Sequence, residues 1–192
     1  MRQCIMTVFV SLWLMGCGEQ TWQTKDLSGL MPPLAFNLVD ENGNDVTADQ
    51  YLGRSTLLFF GFTHCPDICP TTLARLDAAT QRLKETDRDD IQVLFVSVDP
   101  RRDDPASLRA YTDAFGPQFI GLTGNKAALD ELTRRYRVTY GYGEEDGNGN
   151  YEVSHSSAVF AFNEQGKARV LIRDSDPMDA VVADLKTLVD DG

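Results

Sequence analysis

Residues 55–70 read STLLFFGFTHCPDICP, in which an apolar run leads directly into two cysteines that stand four positions apart. The run at 55–62 is almost continuously apolar, as in a strand that is buried on both faces of a sheet. The residues at 71–85 then place leucines at helical spacing. The stretch therefore predicts a central strand, a loop with both cysteines and a helix. This loop lies at the sheet edge where α/β proteins bind their ligands.

The rest of the chain continues the alternation of strands and helices. The remaining predicted elements are a hairpin at 34–44, a strand at 91–98, a helix at 105–115, a short strand at 119–122, a helix at 125–136, strands at 154–162 and 167–173, and a helix from about 176 to 190. This order predicts an α/β fold of the thioredoxin-like type. We expect a mixed central sheet flanked by helices, with an N-terminal β-hairpin extension.

The first 17 residues have the features of a targeting segment. Arg2 gives a basic start, residues 5–14 form an apolar stretch too short to span a bilayer comfortably, and the tetrapeptide at 14–17, LMGC, resembles a bacterial lipobox. We expect a signal peptide at 1–17 with lipidation of Cys17, a flexible tether at 18–30 and the folded domain at 31–192. An uncleaved anchor or a plain secretory signal are the alternatives, and each places the domain outside the cytoplasm. The prediction is a membrane-anchored lipoprotein on the periplasmic side of a bacterial membrane.

The net charge of −11 narrows the choice of partners. Nucleic acid is excluded as a partner, because binding it requires Lys and Arg to neutralise phosphates. Docking on an anionic membrane surface is also disfavoured, so a lipid would have to tether the domain. The acidity is compatible with a basic or metal-bearing protein partner.

Cys65 and Cys69 are the only cysteines that follow Cys17, and their spacing indicates metal or redox chemistry. Pro70 predicts that the helix begins there, with Cys69 near its N-cap, where free N–H groups favour the thiolate. Thiol–disulfide oxidoreductases favour a Cys-x-x-Cys pair. A Cys-x-x-x-Cys pair can hold both sulfurs around one ion as well as close a disulfide, so both uses stay open.

A third ligand is available in His155, at the start of a predicted strand that a thioredoxin-like sheet brings near the cysteine loop. Thiolates select Cu(I), zinc or iron–sulfur clusters. A structural zinc site normally has four ligands, whereas Cu(I) is satisfied by two or three soft ones. Among the residues next to the candidate ligands, we expect His64 either to tune the reactivity of the adjacent Cys65 thiol or to have a structural packing role. Asp67 is expected to be a solvated loop residue that supports the site from outside.

Four segments of the chain resemble the Sco/SenC family of copper-binding proteins: 61–70 (GFTHCPDICP), 97–105 (SVDPRRDDP), 119–124 (FIGLTG) and 153–156 (VSHS). The resemblance covers roughly residues 31–173. It implies a thioredoxin-like domain that binds copper through Cys65, Cys69 and His155. It also implies a role in assembling the copper centre of respiratory cytochrome c oxidase. The implied partners are the copper-bearing oxidase subunit and a copper donor protein or thiol reductant.

One position departs from the family pattern, which commonly has an aspartate directly before the histidine. Ser154 stands there, and it can hydrogen-bond but adds no charge to support the imidazole. We expect an altered copper affinity or transfer rate and not the loss of the site.

Two other functions are compatible with the same cysteines. A thiol–disulfide oxidoreductase would cycle Cys65 and Cys69 as a redox disulfide. A peroxidase-like enzyme is suggested only by Thr63 two residues before Cys65, and its chemistry has no need of His155. The metallochaperone is the preferred hypothesis, and it requires no enzymatic activity.

Overall fold

A computed structural model of the protein describes residues 21–147 and 150–191. In chain order its elements are β1 (Lys25–Asp26), β2 (Asn37–Asp40), β3 (Asp45–Thr47), a 3-10 helix (Ala48–Tyr51), β4 (Ser55–Gly61), α1 (Ile68–Thr80), α2 (Glu85–Asp89), β5 (Ile91–Ser97), α3 (Pro105–Thr112), β6 (Phe119–Thr123), α4 (Lys126–Arg135), β7 (Tyr140–Tyr142), β8 (Val153–His155), β9 (Val159–Phe162), β10 (Ala168–Ile172) and α5 (Met178–Asp190).

Eight of these strands form one mixed sheet in the order β1-β10-β9-β4-β5-β6-β2-β3. The central strands β4, β5 and β6 are parallel, and β9 runs antiparallel to β4. Every residue of β4 and β5 is buried, as expected for strands that are covered on both faces. The hairpin β2–β3 extends the sheet beyond β6. The predicted α/β fold with an N-terminal hairpin is confirmed.

The predicted strand at 154–162 is wrong as a single element. Residues 153–155 pair with β7 in a separate two-stranded sheet, and the main sheet resumes only at Val159. Between them, the Ala158 N–H donates to Ser156 Oγ at 3.2 Å. Such a local bond offers the backbone an alternative to the strand ladder. His155 therefore belongs to a small hairpin at the end of the sheet.

The N-terminal segment also differs from expectation where it is described. Lys25–Asp26 pairs with β10, and the buried carboxylate of Asp184 accepts hydrogen bonds from the N–H groups of Gln23 and Thr24, both at 2.7 Å. This part of 18–30 is packed on the domain, which corrects the expectation of a flexible tether there.

The predicted signal peptide and its Cys17 lie outside the described residues. Across residues 21–147 and 150–191, no helix combines the length and the apolar character that crossing a membrane requires.

Candidate metal centre

Three side chains that could hold a metal ion meet beyond the C-terminal end of β4. The sulfurs of Cys65 and Cys69 and a ring nitrogen of His155 all lie within 4.8 Å of one another. Cys69 Sγ is 3.2 Å from His155 Nε2, and the Cys69 backbone N–H donates to Cys65 Sγ at 3.4 Å. Within the described residues, no other group of three His, Cys, Asp or Glu side chains is placed to hold a metal ion. The fold thus brings together the three residues that the sequence singled out.

The cysteine segment is shaped by the start of α1. The helix begins at Ile68, with Asp67 as its N-cap, and not at Pro70 as predicted. A proline is tolerated in the first turn because the N–H groups there have no intrahelical partner. Cys69 therefore lies inside the first turn. Asp67 is exposed and accepts a hydrogen bond from Thr71 Oγ1 at 3.3 Å, so its side chain interacts with the helix.

The imidazole of His155 is oriented through its other nitrogen. Nδ1 lies 3.0 Å from the Ser156 carbonyl oxygen, and a proton on Nδ1 leaves the Nε2 lone pair free on the side of Cys69. The rings of Phe59 and Phe62 meet the imidazole edge to face, with centroids at 5.9 and 5.7 Å. Burial lowers the pKa of His155, against two backbone hydrogen bonds that raise it. The neutral imidazole, which is the metal-binding form, is therefore favoured.

Ser154 is not the residue that orients this imidazole. It is exposed on β8, where successive side chains point to opposite faces, and its Oγ lies 3.4 Å from the Gly141 carbonyl oxygen. The Ser156 carbonyl takes the orienting role. Sequence reasoning missed it, and no signal could have found it, because any residue type offers a backbone carbonyl.

The two sulfurs differ in exposure. Cys69 is completely buried, whereas Cys65 is only partly so. Burial raises the pKa of the Cys69 thiol. The charges of Cys65 and Asp103 add to this rise, while a backbone hydrogen bond at Phe62 opposes it. The expectation that the helix start would favour the Cys69 thiolate is therefore wrong for the metal-free protein, because desolvation outweighs it.

Gly61 makes room for the buried sulfur. A Cβ at this position would lie 2.6 Å from Cys69 Sγ and 2.6 Å from the Phe95 ring. Real side chains do not approach so closely. The absence of a side chain at the end of β4 therefore allows Cys69 to pack against the sheet.

A buried carboxylate fastens the residues that precede Cys65. Asp103 accepts hydrogen bonds from the Thr63 N–H at 2.9 Å, from Thr63 Oγ1 at 2.6 Å and from Ser97 Oγ at 2.5 Å. His64 Nδ1 lies 3.5 Å from the same carboxylate and 3.1 Å from Thr63 Oγ1, with 56% of its side chain exposed. His64 thus packs on this anchor and is not part of the metal group. Asp103 was missed, although its position after β5, beside β4, was a usable signal.

An open cavity of about 660 Å³ lies over Cys65 and His155. Its walls come from the cysteine loop on one side and from residues 150–155 on the other. Arg102 lines it as well, held by the buried carboxylate of Asp99 and stacked 3.8 Å above the Tyr151 ring. Tyr151 in turn donates to Asp99 at 2.6 Å. The cavity gives a molecule from solution access to Cys65 and His155.

The chain is similar in sequence to several known proteins. Its curated relatives include an SCO2-like protein of Rickettsia conorii, 39% identical over 134 residues, which are 69% of this chain and 64% of that protein. The match therefore spans less than two thirds of that relative's length.

Solved structures agree in fold. ScoI of Arabidopsis thaliana with copper bound is 33% identical and superposes with a TM-score of 0.76, covering 83% of this chain and 99% of that one. Apo Sco1 of Thermus thermophilus in solution is 39% identical, with a TM-score of 0.77 and coverage of 88% and 97%. Both relatives bear out the thioredoxin-like architecture predicted from the sequence.

The family comparison covers most of the chain. The SCO1/SenC family model matches residues 32–190, which include the cysteine loop, the Asp103 anchor and the His155 hairpin. The chain therefore belongs to the SCO1/SenC family.

Proposed function

We propose that this protein is an extracytoplasmic copper metallochaperone that assists assembly of the copper centre of respiratory cytochrome c oxidase. The observation that carries the proposal is the convergence of two sulfurs and one imidazole within 4.8 Å of one another, beside an open cavity. Two thiolates and a neutral imidazole form a soft ligand set that suits Cu(I). The copper-bound structure of the Arabidopsis relative supports the same choice of metal.

The three proposed ligands hold the ion from different positions in the fold. Cys69 supplies a sulfur from inside the protein, and Cys65 supplies one at the cavity wall, where a partner can reach it. Metal binding displaces the thiol protons, so the affinity for the ion rises with pH. His155 binds through Nε2 while the Ser156 carbonyl holds Nδ1. We assign His64, Asp67 and Ser154 supporting roles outside the ligand set.

The anchor and the partners belong to the same proposal. Lipidation of Cys17 would hold the domain at the periplasmic side of a bacterial membrane, next to a membrane-bound oxidase. The copper-bearing oxidase subunit would receive the ion, and a donor protein or thiol reductant would supply the reduced, loaded state. The lipobox-like residues at 14–17 support the anchor, and the family resemblance supports the oxidase.

The decisive experiment is an anaerobic Cu(I) titration of the reduced full chain against a competing chelator. We expect one tight equivalent, weakened at least about tenfold in His155→Ala, because the variant leaves two ligands of three. His64→Ala is the comparison variant. This histidine lies outside the metal group, so its loss should weaken the affinity much less than the loss of His155 does. Binding that is indifferent to His155 would contradict the three-ligand site.

The alternative is a thiol–disulfide oxidoreductase that acts on cysteines of the oxidase or of another secreted protein. The proximity of the two sulfurs and the partial exposure of Cys65 favour it, because an attacking thiol must be reachable. The raised pKa of Cys69 counts against it, since burial keeps that thiol protonated. An insulin-reduction assay separates the two functions. Turnover that depends on Cys65, without tight Cu(I) binding, would favour the oxidoreductase.

A further inference from the structure

The guanidinium group of Arg102 contacts both the cysteine segment and the histidine segment of the candidate site. Its Cζ atom lies 5.8 Å from the centroid of the Phe62 ring, three residues before Cys65. The same atom lies 3.8 Å from the centroid of the Tyr151 ring, two residues before β8 begins. Both distances are within the range of a cation–π contact. Arg102 is thus placed to fix one segment relative to the other.

Hydrogen bonds hold Tyr151 against the turn that follows β5. Arg102 Nη1 donates to the Tyr151 carbonyl oxygen at 3.1 Å, and Arg102 Nε donates to Asp99. The Tyr151 hydroxyl donates to the same Asp99 carboxylate at 2.6 Å. Asp99 is completely buried. Asp99, Arg102 and Tyr151 therefore form one closed group of contacts, the Arg102 cluster.

The two strands of the histidine hairpin have separate attachments to the domain. On β7, the Tyr140 hydroxyl donates to Asp130 at 2.6 Å. The Tyr142 hydroxyl donates to the Val98 carbonyl oxygen at 2.5 Å. On the side of β8, the Arg102 cluster holds the chain just before the strand that carries His155. Since β8 lies outside the eight-stranded sheet, its position depends on side-chain contacts of this kind.

Stability alone does not account for the arginine in this cluster. Arg102 Nη2 is buried and has no hydrogen-bond partner among the described residues. A buried donor without a partner is unfavourable, and a buried ion pair can often be replaced by apolar residues without loss of stability. The planar guanidinium, however, can bond a carboxylate and a carbonyl oxygen while it stacks on a ring. That combination fixes a geometry, which is what a metal ligand on a short strand requires.

We propose that Arg102 is a positioning residue that holds His155 at ligand distance from the two sulfurs. Arg102 lies outside the three-residue metal group and acts through Tyr151. The fixed Tyr151 sets where β8 begins, and thereby where His155 Nε2 lies, 3.2 Å from Cys69 Sγ. This inference rests on the proposed copper-binding function.

Arg102→Lys in the full chain is the variant that tests the inference. Lysine keeps a positive charge for the buried Asp99 carboxylate, so the fold should survive, but it lacks the planar fork that reaches the Tyr151 carbonyl as well. Tyr151→Phe is the milder second variant, because it keeps the stacked ring and loses only the hydroxyl bond to Asp99.

Arg169→Lys is the matched control. Arg169 Nε also donates to a carboxylate, that of Asp191, and 20% of the Arg169 side chain is exposed, against 19% for Arg102. Arg169 lies near the end of the sheet away from the site. The neighbouring Ala168 pairs with Phe162, which in turn pairs with Thr56 near the start of β4.

Two quantities are measured for each variant. Amide hydrogen exchange of the metal-free protein reports how firmly residues 140–155 are held. Chelator competition gives the Cu(I) affinity, both in the otherwise wild-type chain and together with His155→Ala. The second background separates an effect that acts through the imidazole from a general one.

Arg102→Lys should speed exchange in residues 140–155 and weaken Cu(I) binding about tenfold, as expected for a group that supports a metal ligand. Together with His155→Ala it should change the affinity by less than about twofold, because the imidazole that it positions is gone. Tyr151→Phe should shift both quantities in the same direction by less. Arg169→Lys should leave the exchange of residues 140–155 and the Cu(I) affinity unchanged.

Three results would overturn the inference alone while the wild-type protein binds one Cu(I) tightly. The first is an Arg102→Lys affinity equal to that of wild type. The second is an equal loss of affinity with and without His155, and the third is unchanged exchange in residues 140–155. Failure of the wild-type protein to bind Cu(I) would instead remove the proposed function, and the inference with it.

Discussion

The cysteine segment and the histidine segment of the candidate site are held by the fold in different ways. The cysteines follow β4, whose seven residues are all buried. Asp103 accepts two hydrogen bonds from the intervening Thr63, and a third from Ser97 Oγ holds the Asp103 carboxylate itself. His155 lies on the three-residue strand β8. Among the residues that the structure describes, β8 pairs with the three-residue strand β7 alone, outside the main sheet. We therefore expect the sulfurs to be pre-positioned and the imidazole to be the less firmly held of the three candidate ligands.

The largest expected effect comes from the pre-positioned half. Cys65→Ser and Cys69→Ser should each weaken Cu(I) binding by more than about a hundredfold, since even changes outside a ligand set cost 10- to 100-fold. The two variants should differ in stability. Cys69→Ser places a hydroxyl at a fully buried position and should lower the melting temperature, whereas Cys65→Ser should leave it nearly unchanged.

Chelator competition and thermal unfolding of both variants provide the check. An equal fall in melting temperature for Cys65→Ser and Cys69→Ser would contradict the difference in burial between the two side chains. Tight binding in either variant would show that two ligands suffice.

Gly61→Ala tests whether the packing behind Cys69 sets the sulfur's position. The new Cβ would stand 2.6 Å from Cys69 Sγ and from the Phe95 ring, so the free energy of unfolding should fall by about 1–3 kcal/mol, as for other overpacked cores. Cu(I) affinity should fall with it, because Sγ must move. Gly147→Ala is the matched control, since a Cβ there meets nothing within 4 Å. Urea unfolding and Cu(I) titration of both variants provide the check. If Gly61→Ala had the stability and the Cu(I) affinity of the control, the packing behind Cys69 would not set the position of the sulfur.

The cysteine segment could be predicted from the sequence more fully than the histidine segment. The buried strand β4, the helix after it and both cysteines lie within 26 consecutive residues, from Ser55 to Thr80, and local pattern alone identifies them. His155 was identified as a candidate by its chemistry, yet its strand was misplaced. The local Ser156 turn that interrupts the strand pattern has no apolar signature. The Cys69 thiol was misjudged because burial depends on packing from distant parts of the chain.

The pH dependence of metal-free stability tests the histidine half. Burial lowers the pKa of His155 from its ordinary value of 6.5, so the folded protein binds this proton less readily than the unfolded chain does. Its contribution to stability is therefore fully present above pH 6.5 and declines as the pH falls below that value, by no more than about 1.4 kcal/mol per pH unit.

Unfolding midpoints of the metal-free protein at pH 7.5 and 5.5 would measure this decline. We expect a smaller decline in His155→Gln, because the substituted side chain does not titrate. His64→Gln removes the other histidine of the chain and serves as the control. An identical decline in wild type and His155→Gln would mean that the imidazole is not desolvated in the free protein.

The smallest effect is expected where the chain departs from its family. Ser154→Asp restores the usual residue, but the side chain at this position is exposed and Ser154 Oγ lies near the Gly141 carbonyl, away from the imidazole. The new carboxylate can act on His155 only through solvent-screened charge, so the Cu(I) affinity should change by less than about threefold at physiological salt. Affinities measured at low and high salt would separate a screened charge effect from a direct contact between the carboxylate and the imidazole. A large increase that persists at high salt would mean that the carboxylate reaches the imidazole directly. The β7–β8 hairpin would then have to rearrange on loading, which would strengthen the view that this half of the site is the less firmly held one.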